Sequence, residues 1–363
     1  MTAPQPMNFA IAGLGGFARA VADLVLAAPE HARLVAVGDP ALEQHADRAA
    51  ELRALGVQVV DSAEAAFDIA GVEAAWLPLP IGLHRPLTEA AFDRGLHVLV
   101  EKPIAGDLAD ADAMIAARDR AGCVGAVGFH DLFHPEALDR KRFIRDGGLG
   151  QVQRVVVTGS WPRQQTYFER AAWAGRRIVG ETAIHDSPVN NAMAHYVMLA
   201  LFFLGADDLG AARAEAPEGL LMRSADIENF DTASVRLRIG GDSPHAGADL
   251  ELHLTHADRR LVNPALRIEG TEGVGEWRFE ADDPMVDAEA RDLSFTTHAR
   301  GHVVSNFVRL CRAAAGATVP HGTFEAARRH AELVAALAAL PIETCVIPDD
   351  RVFDTLRFAA GVR

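Results

Sequence analysis

The chain has 363 residues, which at about 150 residues per domain favours two domains and leaves ample length for a core. Hydrophobic residues make up 49% and charged residues 23%, a balance that excludes a disordered or collagen-like chain. Thirty-five Lys and Arg against 50 Asp and Glu give a formal charge of -15, so the positive footprint of a nucleic-acid binder, or of a protein held on an anionic membrane, is missing.

The first 130 residues alternate short apolar runs with amphipathic stretches. Phe9–Ala12, Leu34–Val37, Val57–Val60, Ala74–Leu77, Leu96–Val100 and Val124–Val127 read as strands buried on both faces of a parallel sheet. Arg19–Ala28, Ala41–Ala54, Pro86–Asp93 and Leu108–Ala121 between them carry helical spacing, and this rhythm predicts a doubly wound α/β domain over residues 1–128. The pattern changes after Gly147-Gly148-Leu149-Gly150. Gln151–Gly159, Ala233–Ile239, Asp249–Thr255 and Leu266–Glu269 alternate polar and apolar residues, as in an antiparallel sheet with one more exposed face, and Gly240–Ala246 reads as a turn. With helices at Val189–Leu204, Val303–Ala315 and Phe324–Leu340, residues 129–363 are expected to form an α+β domain.

Other features narrow the setting. Cys123, Cys311 and Cys345 form no C-x-x-C pair, which suits a reducing compartment and supplies neither a disulfide framework nor a zinc knuckle. The opening MTAPQPMNFAIAG lacks a basic n-region, and the longest apolar run, Tyr196–Leu204, is too short to span a bilayer, so a cytoplasmic location is expected. The pairs His130/His134 and His298/His302 stand four apart, but with no H-E-x-x-H and no supporting ligand set no metal is expected. No G-x-S-x-G is present either, which removes the footing for a serine hydrolase.

The first strand runs into Gly13-Leu14-Gly15-Gly16-Phe17-Ala18, a G-x-G-x-x-A opening a helix. Gly13 allows a tight turn, Gly15 lets backbone N–H groups approach a pyrophosphate, and the small Ala18 permits close helix–strand packing. The second strand ends at Asp39, where a carboxylate would accept the ribose 2'-hydroxyl and favour NAD over NADP; a helix cap before Pro40 and Ala41 is compatible with that role. The fifth strand ends in Glu101-Lys102-Pro103, and ligands of open α/β sheets bind outside the carboxyl ends of strands. Lys102 is one of only two lysines, the other being Lys141. Its ammonium can bond a substrate oxygen and share in proton transfer, which a guanidinium cannot. A strand-end salt bridge with Glu101 is the plainer alternative.

Taken in order, Gly13–Ala18, Asp39, Pro80 followed by His84, the run Gly95–Pro103, Gly128-Phe129-His130 and Gly147–Val152 resemble the glucose-fructose oxidoreductase, inositol dehydrogenase and MocA (Gfo/Idh/MocA) family over nearly the whole chain. The resemblance implies an N-terminal Rossmann domain and a C-terminal α+β domain whose large, mostly antiparallel open sheet makes a homodimer or homotetramer. It further implies hydride transfer between NAD, or less readily NADP, and a sugar, cyclitol or related polyol. It extends the cofactor-binding set to Leu14, Gly16, Phe17, Pro78, Pro80, His84, Glu101 and Lys102.

The family's D-x-G-x-H-x-x-D helix corresponds to the stretch Asp186–His195 and beyond. His195 takes the histidine position as a candidate general base, Asn191 replaces the first aspartate and Met198 the second. On a continuous helix Asn191 and His195 share a face. Asp186 is either a helix cap or a contact to His195 or substrate. Trp161, Tyr167, Trp173 and Arg176 offer aromatic faces and a guanidinium fork to a polyhydroxylated or carboxylate-bearing substrate, and suit subunit contacts equally well. Two further readings stay open: NAD-assisted elimination or glycoside cleavage through transient oxidation, and a non-catalytic dinucleotide sensor.

Overall fold

The computed structural model describes residues 5–206, 212–278, 294–313 and 322–345. It comprises two compact units, one built from Met1–Ala105, Ala109–Phe133 and Ala299–Phe324, the other from Gly106–Leu108, His134–His298 and Glu325–Arg363.

The first unit carries strands β1 (Met7–Ala12), β2 (Ala32–Gly38), β3 (Gln58–Val60), β4 (Ala74–Leu77), β5 (His97–Val100) and β6 (Gly125–Val127). They form one sheet in the order β3-β2-β1-β4-β5-β6, and every pairing is parallel. The order reverses between β1 and β4, which creates a crevice at their carboxyl ends. The apolar runs are short and unbroken because both faces are covered: all of β4 is buried, as are Val98, Leu99 and Val100 of β5. Helices Phe17–Leu26, His84–Phe92 and Leu108–Ala121 lie near their expected positions. Ala41–Ala54 is a 3-10 turn, Leu42–His45, followed by the helix Ala46–Ala54. A short helix the pattern did not reveal, Ala63–Phe67, is started by Ser62, whose hydroxyl accepts the Ala65 N–H at 3.1 Å.

The last element of this unit comes from far along the chain. Helix Ser294–Arg312 buries Val303, Val304, Phe307 and Val308 in the same core as Phe9, Ile11 and Trp76, with the Phe9 and Phe307 rings 5.8 Å apart. The expected end of that helix, Ala315, lies outside the described residues, as does the side chain of His298.

The second unit holds a seven-stranded sheet in the order β14-β13-β7-β12-β11-β10-β15. Its members are β7 (Val152–Ser160), β10 (Ala212–Arg223), β11 (Thr232–Gly241), β12 (Asp249–Thr255), β13 (Val262–Gly270), β14 (Val274–Arg278) and β15 (Ile342–Thr344), while β8 (Ile178–Val179) and β9 (Thr182–Ala183) form a small separate ladder. Only β7–β12 and β10–β15 pair in parallel. β10 escaped the sequence pattern because Pro217 sits at a bulge where the register with β11 shifts between Glu215 and Glu218. Alternation along β12 puts Leu250, Leu252 and Leu254 on one face and Glu251 and His253 on the other, where Arg154 of β7 grips Glu251 through bonds of 2.8 and 2.6 Å.

The helix expected over Val189–Leu204 is interrupted. Pro188–Ala192 is a π turn, Met193 (φ -111°) leaves helical geometry, and an α-helix resumes over Ala194–Phe203 with every residue from Tyr196 to Phe203 buried. No helix among the described residues is long and apolar enough to cross a membrane.

Candidate active site

In the first unit, β1 leads into Gly13 (φ 103°), whose N–H donates to the Gly38 carbonyl at 2.7 Å and where a Cβ would stand 3.3 Å from that of Ala18. Gly16 (φ 54°) caps helix Phe17–Leu26 without a side-chain bond, and no acidic residue occupies the first turn. The helix start therefore presents N–H groups and positive dipole with no built-in anion, which fits the pyrophosphate of a dinucleotide. Gly15 has an additional cause: a Cβ there would lie 2.5 Å from the His45 ring.

Asp39 is 7% exposed and ties the turn to β2. Its Oδ2 accepts the Leu14 N–H and its Oδ1 the Ala41 N–H, both at 2.7 Å. The bond to Ala41 closes a local turn and is not a helix cap, because the 3-10 turn starts after Ala41. Each carboxylate oxygen retains a lone pair for a ribose hydroxyl.

At the end of β5, the Glu101 carboxyl accepts the Trp76 indole N–H at 3.2 Å and packs on Gly128, where a Cβ would stand 2.6 Å from Oε1. Burial pushes Glu101 up to about 7, against the opposing pull of the Lys102 charge, the Trp76 bond, the Lys102 backbone N–H and Arg300. Lys102 thus adjoins a carboxyl poised near neutrality. His84 is buried between main-chain carbonyls: Nδ1 lies 3.0 Å from Pro103 O and 3.2 Å from Ile104 O, and Nε2 lies 2.8 Å from Leu79 O. Burial lowers its pKa against the opposing pull of these three carbonyls, and the ring lies between the segments that follow β4 and β5. Pro78 and Pro80 lie in the first of those segments, Pro80 opening the turn Ile81–Leu83.

His130, just past β6, is buried 3.2 Å from an Asp131 oxygen. Burial, joined by the charges of Arg300 and Lys102, holds its pKa well below the ordinary histidine value. Trp76 and Arg300 had no signal in the sequence beyond their residue types, whereas His130 was visible within Gly128-Phe129-His130.

In the second unit the helix start is organised by Asp186, though not as its cap. Ser187 is the cap, its Oγ accepting the Asn190 N–H at 3.1 Å. Asp186 Oδ1 accepts from Asn191 Nδ2 at 2.8 Å and Oδ2 from the Gly175 N–H at 2.6 Å, while its own N–H donates to the Arg176 carbonyl at 2.9 Å. Asn191 therefore faces Asp186, and the break at Met193 removes the continuous helix on which Asn191 and His195 were expected to share a face. His195 sits partly buried in the first turn of Ala194–Phe203.

Trp161 donates from Nε1 to Asn263 at 3.1 Å and meets Tyr196 edge-on at 6.0 Å. The Tyr167 ring takes the guanidinium of Arg170 at 3.5 Å and that of Arg163 at 4.5 Å, and Arg170 also lies 4.8 Å from the Trp173 ring. Tyr167 and Trp173 are thus joined through Arg170, an arginine the sequence pattern did not single out. Burial pushes the adjoining His256 down to about 4, its Nδ1 lying 2.8 Å from the Trp161 carbonyl.

A parallel sheet of this order, with a glycine turn at its switch point and a carboxylate at the end of β2, defines a dinucleotide-binding domain of the dehydrogenase type. The profile of an oxidoreductase family, described as an NAD-binding Rossmann fold, matches residues 7–129. D-xylose 1-dehydrogenase (NADP(+)) 2 of Haloferax volcanii is 34% identical over 286 residues, 77% of this chain and 82% of the relative. The chain belongs to the Gfo/Idh/MocA oxidoreductase family. Inositol 2-dehydrogenase of Streptomyces avermitilis is 32% identical and dTDP-3,4-didehydro-2,6-dideoxy-alpha-D-glucose 3-reductase of Streptomyces antibioticus 33% identical; the matches span about half of each relative, 52% and 48%, and 52% and 44% of this chain. Among solved structures, GenD2 from gentamicin A biosynthesis in complex with NAD superposes with a TM-score of 0.73 at 20% identity, covering 93% of this chain and 94% of that one. The WlbA dehydrogenase of Bordetella pertussis, in complex with NADH and UDP-GlcNAcA, gives 0.69 at 22% identity, covering 92% and 95%. These likenesses show the shared fold.

Proposed function

We propose that the chain is an NAD-dependent dehydrogenase acting on a secondary alcohol of a sugar, cyclitol or related polyol, or catalysing the reverse reduction. The observation that carries this reading is Lys102, placed at the carboxyl end of β5 beside a carboxyl raised to about 7, in the unit whose glycine turn and Asp39 fit a dinucleotide. NAD, when bound, supplies the hydride acceptor or donor. The residues supply binding and proton handling. The backbone N–H groups of Gly15, Gly16 and Phe17 receive the pyrophosphate, and Asp39 receives the adenosine ribose. The Lys102 ammonium donates to the reacting oxygen and so polarises it in either direction. His195 is assigned to take the hydroxyl proton. Trp161, Tyr167, Trp173 and Arg176 are assigned to substrate recognition. The sugars and inositol named in the relatives support the substrate class. The three free cysteines and the acidic balance suit a cytoplasmic enzyme, and the seven-stranded sheet is the surface we assign to a homodimer or homotetramer.

The test is a screen of sugars, inositols and sugar acids for NADH absorbance. Lys102→Ala should lower turnover at least about a hundredfold while NADH binding, read by fluorescence, stays unchanged. Lys102→Arg should not restore it, since a guanidinium is larger and does not deprotonate. Turnover by the arginine variant at the wild-type rate would reduce Lys102 to a generic positive charge.

A further inference from the structure

Arg300 is carried by helix Ser294–Arg312, nearly three hundred residues after the glycine turn, yet belongs to the same compact unit. Its guanidinium carbon lies 5.4 Å from the Phe17 ring centroid. Phe17 is the first residue of the helix that Gly16 caps and is 38% exposed, so the stacked pair stands at the helix start where the pyrophosphate is received. The Arg300 charge is felt by both Glu101 and His130, the residues just past the ends of β5 and β6, which places it along the carboxyl edge of the sheet.

Two facts give this arginine an unmet need. In a chain with 50 acidic residues, no carboxylate among the described residues pairs with it, and its Nε is buried without a hydrogen-bond partner. A buried donor left unsatisfied is costly, and an arginine fork is shaped for two oxygens of a phosphate or carboxylate. The glycine turn, for its part, offers only neutral N–H groups to a doubly negative diphosphate. The one arginine close to it in sequence, Arg19, stands 4.0 Å from Glu51.

We propose that Arg300 is a cofactor-binding residue: its guanidinium, stacked on Phe17, donates to the diphosphate of the bound dinucleotide and supplies the positive charge the glycine turn lacks. This assignment rests on the NAD-dependent reading above. It also gives helix Ser294–Arg312 a part in binding as well as in the core, so that a late segment of the chain completes the early one.

The experiment titrates wild type, Arg300→Gln and Arg300→Lys with NADH, ADP-ribose and adenosine by calorimetry. Arg300→Gln should bind NADH and ADP-ribose at least about tenfold more weakly, with a shallower dependence on salt, and adenosine as wild type does. Arg300→Lys should recover part of the loss, because the charge returns without the fork. Wild-type affinity for ADP-ribose in Arg300→Gln overturns the proposal, and so does an equal loss of adenosine and ADP-ribose binding, which would make Arg300 a support for the turn's shape. Failure of the wild-type protein to bind NADH or ADP-ribose would overturn the NAD-dependent reading itself.

Discussion

Replacing Glu101 with Gln isolates one titration in the fold. The carboxyl is raised from 4.5 to about 7, chiefly by burial, a shift of about 2.5 units worth about 3 kcal/mol at 1.36 kcal/mol per unit. A carboxyl raised in the fold binds its proton more tightly folded than unfolded, so between these two values the folded state holds more protons. Stability then falls as pH rises through that window, and above about 7 the whole penalty is in place. Glutamine matches the carboxyl in size beside Gly128, keeps an oxygen for the Trp76 N–H and does not titrate. The variant should therefore gain on wild type by up to about 3 kcal/mol between pH 4 and pH 8. The attraction of Lys102 and Arg300 for the carboxylate is already contained in that figure, because both oppose the shift. Urea unfolding followed by tryptophan fluorescence at several pH values measures the difference, with Trp76 a buried reporter in contact with the mutated group. Stability curves of the two proteins separated by a constant offset from pH 4 to pH 8 would refute the reasoning.

Three further substitutions test residues of the two units. Asp39→Ala leaves the Leu14 and Ala41 N–H groups without their 2.7 Å acceptor and should cost about 2–4 kcal/mol by thermal melting, while narrowing the preference for NADH over NADPH; an unaltered cofactor ratio would remove Asp39 from ribose recognition. Asn191→Asp places a second carboxylate against Asp186, where an amide now donates at 2.8 Å, and should destabilise the protein by about 1–3 kcal/mol at pH 7 and by less at pH 4. Equal melting temperatures of wild type and variant at pH 7 would refute that pairing. His195→Ala should lower the rate of alcohol oxidation at least about a hundredfold, and turnover at the wild-type rate would remove His195 as the proton acceptor.

Much of the first unit was legible because its signals are local. Strands covered on both faces must be apolar without interruption, and a helix that begins at a phosphate site needs glycine before it, so Phe9–Ala12, Gly13–Ala18 and the run to Glu101-Lys102 could be located from residue order alone. β12 was readable to the residue, Asp249–Thr255, because its alternation has one apolar and one polar face. Where a local rule had two candidates, the sequence could not choose between them. Asp186 was readable either as a cap or as a contact, and it took the Gly175 N–H from the preceding segment and the Asn191 amide from the turn itself to engage the Asp186 carboxylate and leave the cap to Ser187. The break at Met193 was equally hidden, since an apolar stretch has the same composition whether or not its hydrogen bonds slip to a π turn. The largest decision left to tertiary structure concerns helix Ser294–Arg312. Its apolar stripe announces that one face must be buried, but hydrophobic attraction is non-directional and carries no address. Only the folded chain shows that this stripe closes over Phe9 and Trp76, and that closure is what brings Arg300 to Phe17.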